Sequence, residues 1–421
     1  GLLNVGAAAA PLGALSVPLA DMAAGEAADL SNTRLALGPA FGDALSGVAA
    51  LRNAVAVDEF QRPYAVDLSA SVASAQRGFR LADLLATGAS DIVSVPPAAG
   101  MTLHMALAED PNGDPRAQSG RSRSGGEVEA ASLTGSFSPG TAWHLGMGLS
   151  ADGQLGRGST ASAAGSLFWA ADEMTDPHYT LLGGGDGVRL DRSLTAATTL
   201  SFGWFESDPT GNLDTGAGWG GGNIAQATVD QAFAKGGRLR LDVARVEESD
   251  TFLGSRTDGA FGSSAGAASH FVTVSGGLPV SRTIELIGSA TTATTDVENA
   301  GLLSGWGTVR STAFGIGVVA RDVFDSGDRI GVLAGQPLRV GQADATVTVP
   351  VGMTADEVMV RESQRVDLAP SGREMNVQLA YRRGLWDGAD LSSWLLIRNE
   401  PGHDAAASND YGLGLSFTTT F

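Results

Sequence analysis

The chain has 421 residues, carries a formal net charge of −19 and contains no cysteine. The acidic balance argues against nucleic acid, whose phosphates call for lysine and arginine, and against a basic helix lying on a membrane surface. No apolar run is long enough for a membrane helix, and a cysteine-free chain is held by packing and hydrogen bonds rather than by disulfides.

In chain order, the first stretch, Gly1 to Leu19, is apolar but is broken by Pro11 and Pro18 and followed by Asp21. It lacks the basic start of a signal peptide, and Gly1 reads as the cut end of something longer. Residues 1–125 form an irregular region. Thr33 to Leu37, Ala54 to Leu68 and Met101 to Ala108 read as strands, and Ala44 to Val55 and Phe79 to Leu85 read as helical pieces. Pro111 to Gly126, rich in glycine, serine and arginine, reads as a flexible link. Arg121 and Arg123 within it suggest a solvated linker first, and lipopolysaccharide phosphates second.

From about Gly125 a single theme repeats. Trp143, Leu145, Met147 and Leu149 alternate with His144, Gly146, Gly148 and Ser150. Leu200, Phe202 and Trp204 alternate with Ser201 and Gly203; Leu239, Leu241 and Val243 alternate with Arg238, Arg240 and Asp242. Phe314, Ile316 and Val318 follow the same rule with Gly315 and Gly317, as do Met375, Val377, Leu379 and Tyr381 with Asn376, Gln378, Ala380 and Arg382. Side chains alternate faces along a strand, so each segment has one greasy face and one small or polar face. Segments of about 9–11 residues suit a tilted membrane-spanning strand. Short links such as Ser138 to Gly140 and Lys235 to Gly237 alternate with long ones such as Glu206 to Gly222, Glu248 to Ser269 and Thr295 to Thr308. That asymmetry is the habit of outer-membrane barrels. The expectation is an all-β fold: an antiparallel outer-membrane β-barrel of about 12 strands over residues 126–421, preceded by the irregular region 1–125. Ala343 to Val351 and Val358 to Leu368 read as the arms of a long hairpin; Ala161 to Asp191 resists assignment.

The last strand is the clearest. Tyr411, Leu413, Leu415, Phe417 and Phe421 share an apolar face, and the chain ends on an aromatic carboxy-terminus. These five residues are the candidate assembly signal, read by outer-membrane barrel assembly machinery. Arg238, Arg240, Asp242 and Arg382 are the candidate lumen-lining residues, with Arg245 as a further rung of the same ladder. Trp143, Trp169, Trp204, Trp306, Trp386, Trp394 and Tyr411 suit aromatic girdles at the membrane interfaces.

Two stretches resemble a family. Gly1 to Pro11 resembles the closing helix of a subtilisin-like protease domain, and Val366-Asp367-Leu368-Ala369-Pro370-Ser371-Gly372-Arg373-Glu374 with Tyr411 to Phe421 resembles the translocator end of alphaproteobacterial autotransporters. The resemblance implies a barrel anchor, a segment threading its lumen and an exported protease upstream; it does not make this chain the protease. The nucleophile motif of subtilisin-like enzymes is absent. His104, His144, His178, His270 and His403 stand singly, without the spacing of metal ligands, and Gly183 to Gly187 reads as a tight turn rather than a phosphate loop. No cofactor is expected. The expected partners are outer-membrane lipids and lipopolysaccharide, the assembly machinery and the chain's own N-terminal passenger, with no nucleic acid. The alternatives are a stand-alone porin or adhesin-like barrel, and a soluble all-β module of a secreted subtilase.

Overall fold

The computed structural model describes residues 10–19, 26–74, 91–95, 101–107, 128–156, 167–168, 171–207, 220–262, 266–356, 358–386 and 389–419. Fifteen antiparallel strands follow one another in a single sheet. In chain order they are β1 (Asp91–Val95), β2 (Met101–Leu107), β3 (Val128–Ser138), β4 (Thr141–Leu149), β5 (Gly185–Ser193), β6 (Thr198–Ser207), β7 (Gly222–Ala232) and β8 (Arg238–Glu248). Then come β9 (Ala267–Pro279), β10 (Ile284–Val297), β11 (Val309–Arg321), β12 (Arg329–Gln342), β13 (Met375–Trp386), β14 (Ala389–Asn399) and β15 (Asp410–Thr419). Each wall strand pairs with the next wall strand in the chain, so the sheet is a meander. Such nearest-neighbour pairing satisfies the backbone without crossovers. Two of the strands, β1 and β2, come from the region upstream of residue 126. Strands β1 and β15 stand at the two ends of the strand order.

The alternation read from the sequence becomes the two faces of this wall. On β8, Leu239, Leu241 and Val243 are exposed while Arg240, Asp242, Ala244 and Val246 are buried. The greasy face points outward around the sheet: Leu241, Val243, Val272, Val274, Ile316, Val318, Val377, Leu379, Leu413 and Leu415 are 40 to 80% exposed. They lie side by side, since Val229, Leu241 and Val274 face one another across three strands.

The connections differ at the two ends. At one end the strands are joined by 139–140, 194–197, 233–237, 280–283 and 322–328; at the other by 150–184, 249–266, 298–308, 343–374 and 400–409. The predicted long hairpin is present in the penultimate long connection, as strands Asp344–Met353 and Met359–Asp367.

Residues 16–74 form a cap on the long-connection end. Strands Ser16–Pro18, Ala27–Asp29, Ala54–Val57 and Pro63–Val66 make a small sheet. Arg34–Leu37 pairs with Arg256–Asp258 from the β8–β9 connection, stitching cap to wall. The expected single strand Ala54 to Leu68 is in fact a hairpin. Asp58 folds it back by accepting hydrogen bonds from the backbone of Phe60 and Arg62 and from the Arg62 guanidinium. That guanidinium holds the Asp58 carboxyl well below the usual carboxylate range. The helix expected over Ala44 to Val55 is also absent. The segment runs as turns and a 3-10 stretch, Ala49–Asn53, and its last residues already belong to a strand. Ala44, Leu45, Val48 and Leu51 are buried against the mouth, so tertiary packing overrode alanine's helix preference. Phe79 to Leu85 and Pro111 to Gly126 lie outside the described residues.

Candidate functional site

The inside of the wall is where the polar residues gather. Inward residues of β7 to β13 such as Gln226, Thr228, Thr273, Thr291, Ser311 and Gln378 are buried, so along these strands the lumen is filled rather than lined by open water. The filling comes from the long β4–β5 connection, which folds inward as a plug. Its described parts are α1 (Ala151–Leu155), residues 167–168, and α2 (Asp172–Thr175) leading into Pro177–Thr180. Ser150 caps α1 through a bond from the Gly153 amide, and Gln154 reaches the wall by donating to the Gly187 carbonyl.

Glycine on the inner face makes this possible. A Cβ at Gly203 would lie 2.6 Å from Leu155, one at Gly331 2.6 Å from Phe168, and one at Gly335 2.9 Å from Met174. Gly185, inside the run expected to be a tight turn, instead opens β5, where a Cβ would meet the Glu206 carbonyl.

At the plug's tip, Tyr179 donates to Gln226 Oε1 at 2.9 Å and accepts from Arg240 at 3.3 Å. Asp242 accepts from Thr228 at 2.6 Å and from Gln226 and Arg240. His178 lies with Nε2 3.8 Å from Asp242 Oδ1, its ring against Phe271. Arg240 and Asp242 are therefore brought together, both 1% exposed, gripping a segment of the chain that is folded into the barrel. Arg238 and Arg382 sit on the same inward alternation but near the short-turn end; Arg238 is exposed, and Arg382 bonds Asp390 at 2.9 Å. Arg245 does not belong to the ladder. Being an odd number of residues from Arg240 it faces outward, where it pairs with Glu247 at 2.6 Å.

A second polar cluster fastens the cap at the opposite mouth. Asp43 accepts from the Ser371 amide at 2.8 Å and its hydroxyl at 2.6 Å, and the Val340 amide donates to Ala40. Arg339 donates to the Gly372 and Pro370 carbonyls at 2.8 and 2.9 Å. Glu374 and Arg398 form a buried bidentate pair at 2.9 and 3.1 Å, and Glu374 also takes the Gly402 amide. His403 accepts from the Glu374 amide at Nδ1 (2.8 Å) and faces the Leu338 carbonyl with Nε2 (3.0 Å), which fixes a neutral ring donating through Nε2. Burial holds this imidazole below the usual histidine range. Gly42, at φ 53°, has the Gly402 carbonyl where a Cβ would sit, 2.2 Å away. Sequence reading singled out Val366 to Glu374 but not its partners: Arg339, Arg398 and His403 come from neighbouring strands and loops, and Asp43 lies 328 residues away.

The aromatic girdle is partly as expected. Phe137 and Trp143, Phe324 and Tyr381, and Trp386 and Phe417 meet at ring distances of 6.1, 5.9 and 5.8 Å near the short-turn end. Trp306 and Trp394 do not belong to it. Trp306 packs on Phe252 in the loop layer, and Trp394 faces inward onto the plug cluster. Trp169 and Phe421 lie outside the described residues. Tyr411, Leu413, Leu415 and Phe417 are exposed along β15, whose hydrogen-bonded neighbour is β14.

A run of exposed leucine, valine, isoleucine and aromatic side chains this wide exceeds what a water-soluble surface tolerates, while the backbone beneath it is paired strand to strand from β1 to β15. These faces place the protein in an outer membrane, as a β-barrel with a filled lumen. No protein-family model matches the chain, and no curated protein does. Among solved structures it is similar to OmpT, an outer membrane protein of Vibrio cholerae, at 13% identity and a TM-score of 0.44, over 77% of this chain and 88% of that one. It is also similar to Pseudomonas putida OprB at 14% identity and 0.39, over 76% of this chain and 83% of that one.

Proposed function

We propose that the chain is an outer-membrane anchor of the translocator kind, which holds an N-terminal, subtilisin-like passenger at the cell surface. The observation that carries this reading is the cap. Residues 16–74 are built into the long-connection mouth, and residues 10–15 stay bound to them, Leu12 donating to Asp58 and Ala10 accepting from Arg62, so the described chain makes its N-terminal exit at that mouth. Long connections face outward in barrels of this class, which puts that exit on the cell exterior. The resemblance of Val366 to Glu374 and Tyr411 to Phe421 to autotransporter translocators points the same way, with β15 as the strand the assembly machinery reads. The passenger's end and its junction then lie ahead of β1, and the barrel wall begins with β1 and β2, upstream of the expected boundary at residue 126. We assign no catalysis to the chain; peptidase activity would belong to the passenger.

The experiment is an epitope placed before Gly1, followed on intact cells by antibody and external protease. Surface labelling is expected. An epitope reached only after the outer membrane is permeabilised would overturn the reading. A porin is the second reading, favoured by the polar residues on the inner face. It requires steady single-channel conductance from the intact chain in a planar bilayer, which the filled lumen opposes.

A further inference from the structure

The seam between plug and wall contains polar groups that the folded chain leaves without hydrogen-bond partners. Both carboxylate oxygens of Asp176, the Thr175 hydroxyl and the Ser275 hydroxyl are in this condition, at exposures of 1, 5 and 4%. All three residues line one small cavity of about 10 Å³ together with Ile287, Ser289, Gly315 and Leu333. That is room for a single water-sized occupant. The two sides belong to different parts of the molecule: Thr175 and Asp176 to the plug, Ser275 to β9, Ser289 to β10, Gly315 to β11 and Leu333 to β12.

The charges around the cavity do not balance. Asp176 faces Asp242 and Asp152, with Arg240 and His178 as the basic groups in range. Three carboxylates thus surround one guanidinium and one imidazole. Arg240 is engaged by Tyr179 and Asp242 through Nη2 alone, and its Nε and Nη1 are themselves buried without hydrogen-bond partners. A buried carboxylate without a partner is costly, and the remedy is a positive charge or a proton.

We propose that this cavity binds one small monovalent cation, held by the Asp176 carboxylate and the Thr175 and Ser275 hydroxyls, which fastens the plug to the wall. The donor set is all oxygen, as a hard cation requires. A single lining carboxylate and the nearby guanidinium select against a divalent ion, which gathers several carboxylates and six or more ligands. The inference rests on the barrel and its plug only, and stands whether or not the chain carries a passenger.

The test uses the full chain refolded in detergent, melted in sodium, potassium, calcium or N-methylglucamine chloride at equal ionic strength. The expected result is a saturable rise in melting midpoint of about 2 °C in sodium or potassium over the organic cation. Asp176→Asn abolishes the difference. Ser275→Ala, which keeps the charge, shifts the half-saturating concentration upward about fivefold. In parallel, the ²³Na line width broadens with the wild type and not with Asp176→Asn. Equal midpoints in all four salts, with Asp176→Asn melting higher throughout, would mean a protonated carboxyl beside water and would overturn the proposal. A response to calcium alone would overturn it as well.

Discussion

Replacing Val243 with arginine separates a lipid-facing wall from a water-facing one. Val243 is near the middle of β8, 49% exposed, and its cross-strand neighbours Val272 and Ala227 give it no charged partner. Were this face in water, a polar substitution at so exposed a site would change stability by at most about 0.5 kcal/mol. In a bilayer, an arginine on the lipid face near the midplane costs about 2–4 kcal/mol. That corresponds to a folding equilibrium lowered roughly thirty- to several-hundred-fold. The assay is reversible folding into phospholipid vesicles across a urea or guanidinium series, followed by tryptophan fluorescence. Phe60→Arg is the control, since Phe60 is as openly exposed but sits at the tip of the cap hairpin. The control is expected to leave the midpoint in place while Val243→Arg moves it far down. Equal, small shifts for both variants would refute the argument that the greasy face meets lipid.

Three further outcomes follow from the clusters inside. Gly414→Val puts a Cβ 2.2 Å from the Trp394 indole, so the ring must leave the plug; a loss of about 1–3 kcal/mol is expected, and it should vanish in a Trp394→Ala background. Asp43→Ala removes both bonds from Ser371 and should cost the cap about 1 kcal/mol, read as faster clipping within residues 16–74 by added protease while the barrel itself stays resistant. The His403 imidazole is depressed below its unfolded value, so the unfolded chain takes up its proton first. Its stabilisation is complete above about pH 6.5 and is lost as pH falls toward the folded value, because a protonated ring cannot accept the Glu374 amide. Protease protection of the cap should therefore hold from pH 8 to 7 and fall below pH 6; a flat profile down to pH 4.5 would contradict this role.

The wall was legible in the sequence because a period of two leaves a mark that survives without any knowledge of neighbours. Leu239 to Val243 and Phe314 to Val318 read correctly as strands whose greasy side faces out. The plug was not legible. Its described pieces are too short for a periodic signal, and what holds them is the absence of side chains at Gly203, Gly331 and Gly335 on other strands. In the sequence those glycines were simply the small partner in an alternation. The ladder turns on the same parity: Arg240 and Asp242 keep the inward alternation, and Arg245 breaks it by one residue. Trp394 was misplaced because an indole at an interface and one over a glycine look alike until Gly414 is known to lie beneath it. The clasp was visible only as one of its two halves, Val366 to Glu374.

The cap carries a further meaning in the order of assembly. Its seat needs Ser371, Gly372 and Gly402, and Ser371 bonds Asp43 across a separation of 328 residues. The cap, made before the wall, therefore has no complete seat until the last strands have found their neighbours. Contacts this distant close late, after the loop entropy of the intervening chain has been overcome locally strand by strand. A settled cap is thus a record that β13 and β14 are in register, and the clasp around Glu374 works as a completion check written into the mouth of the barrel.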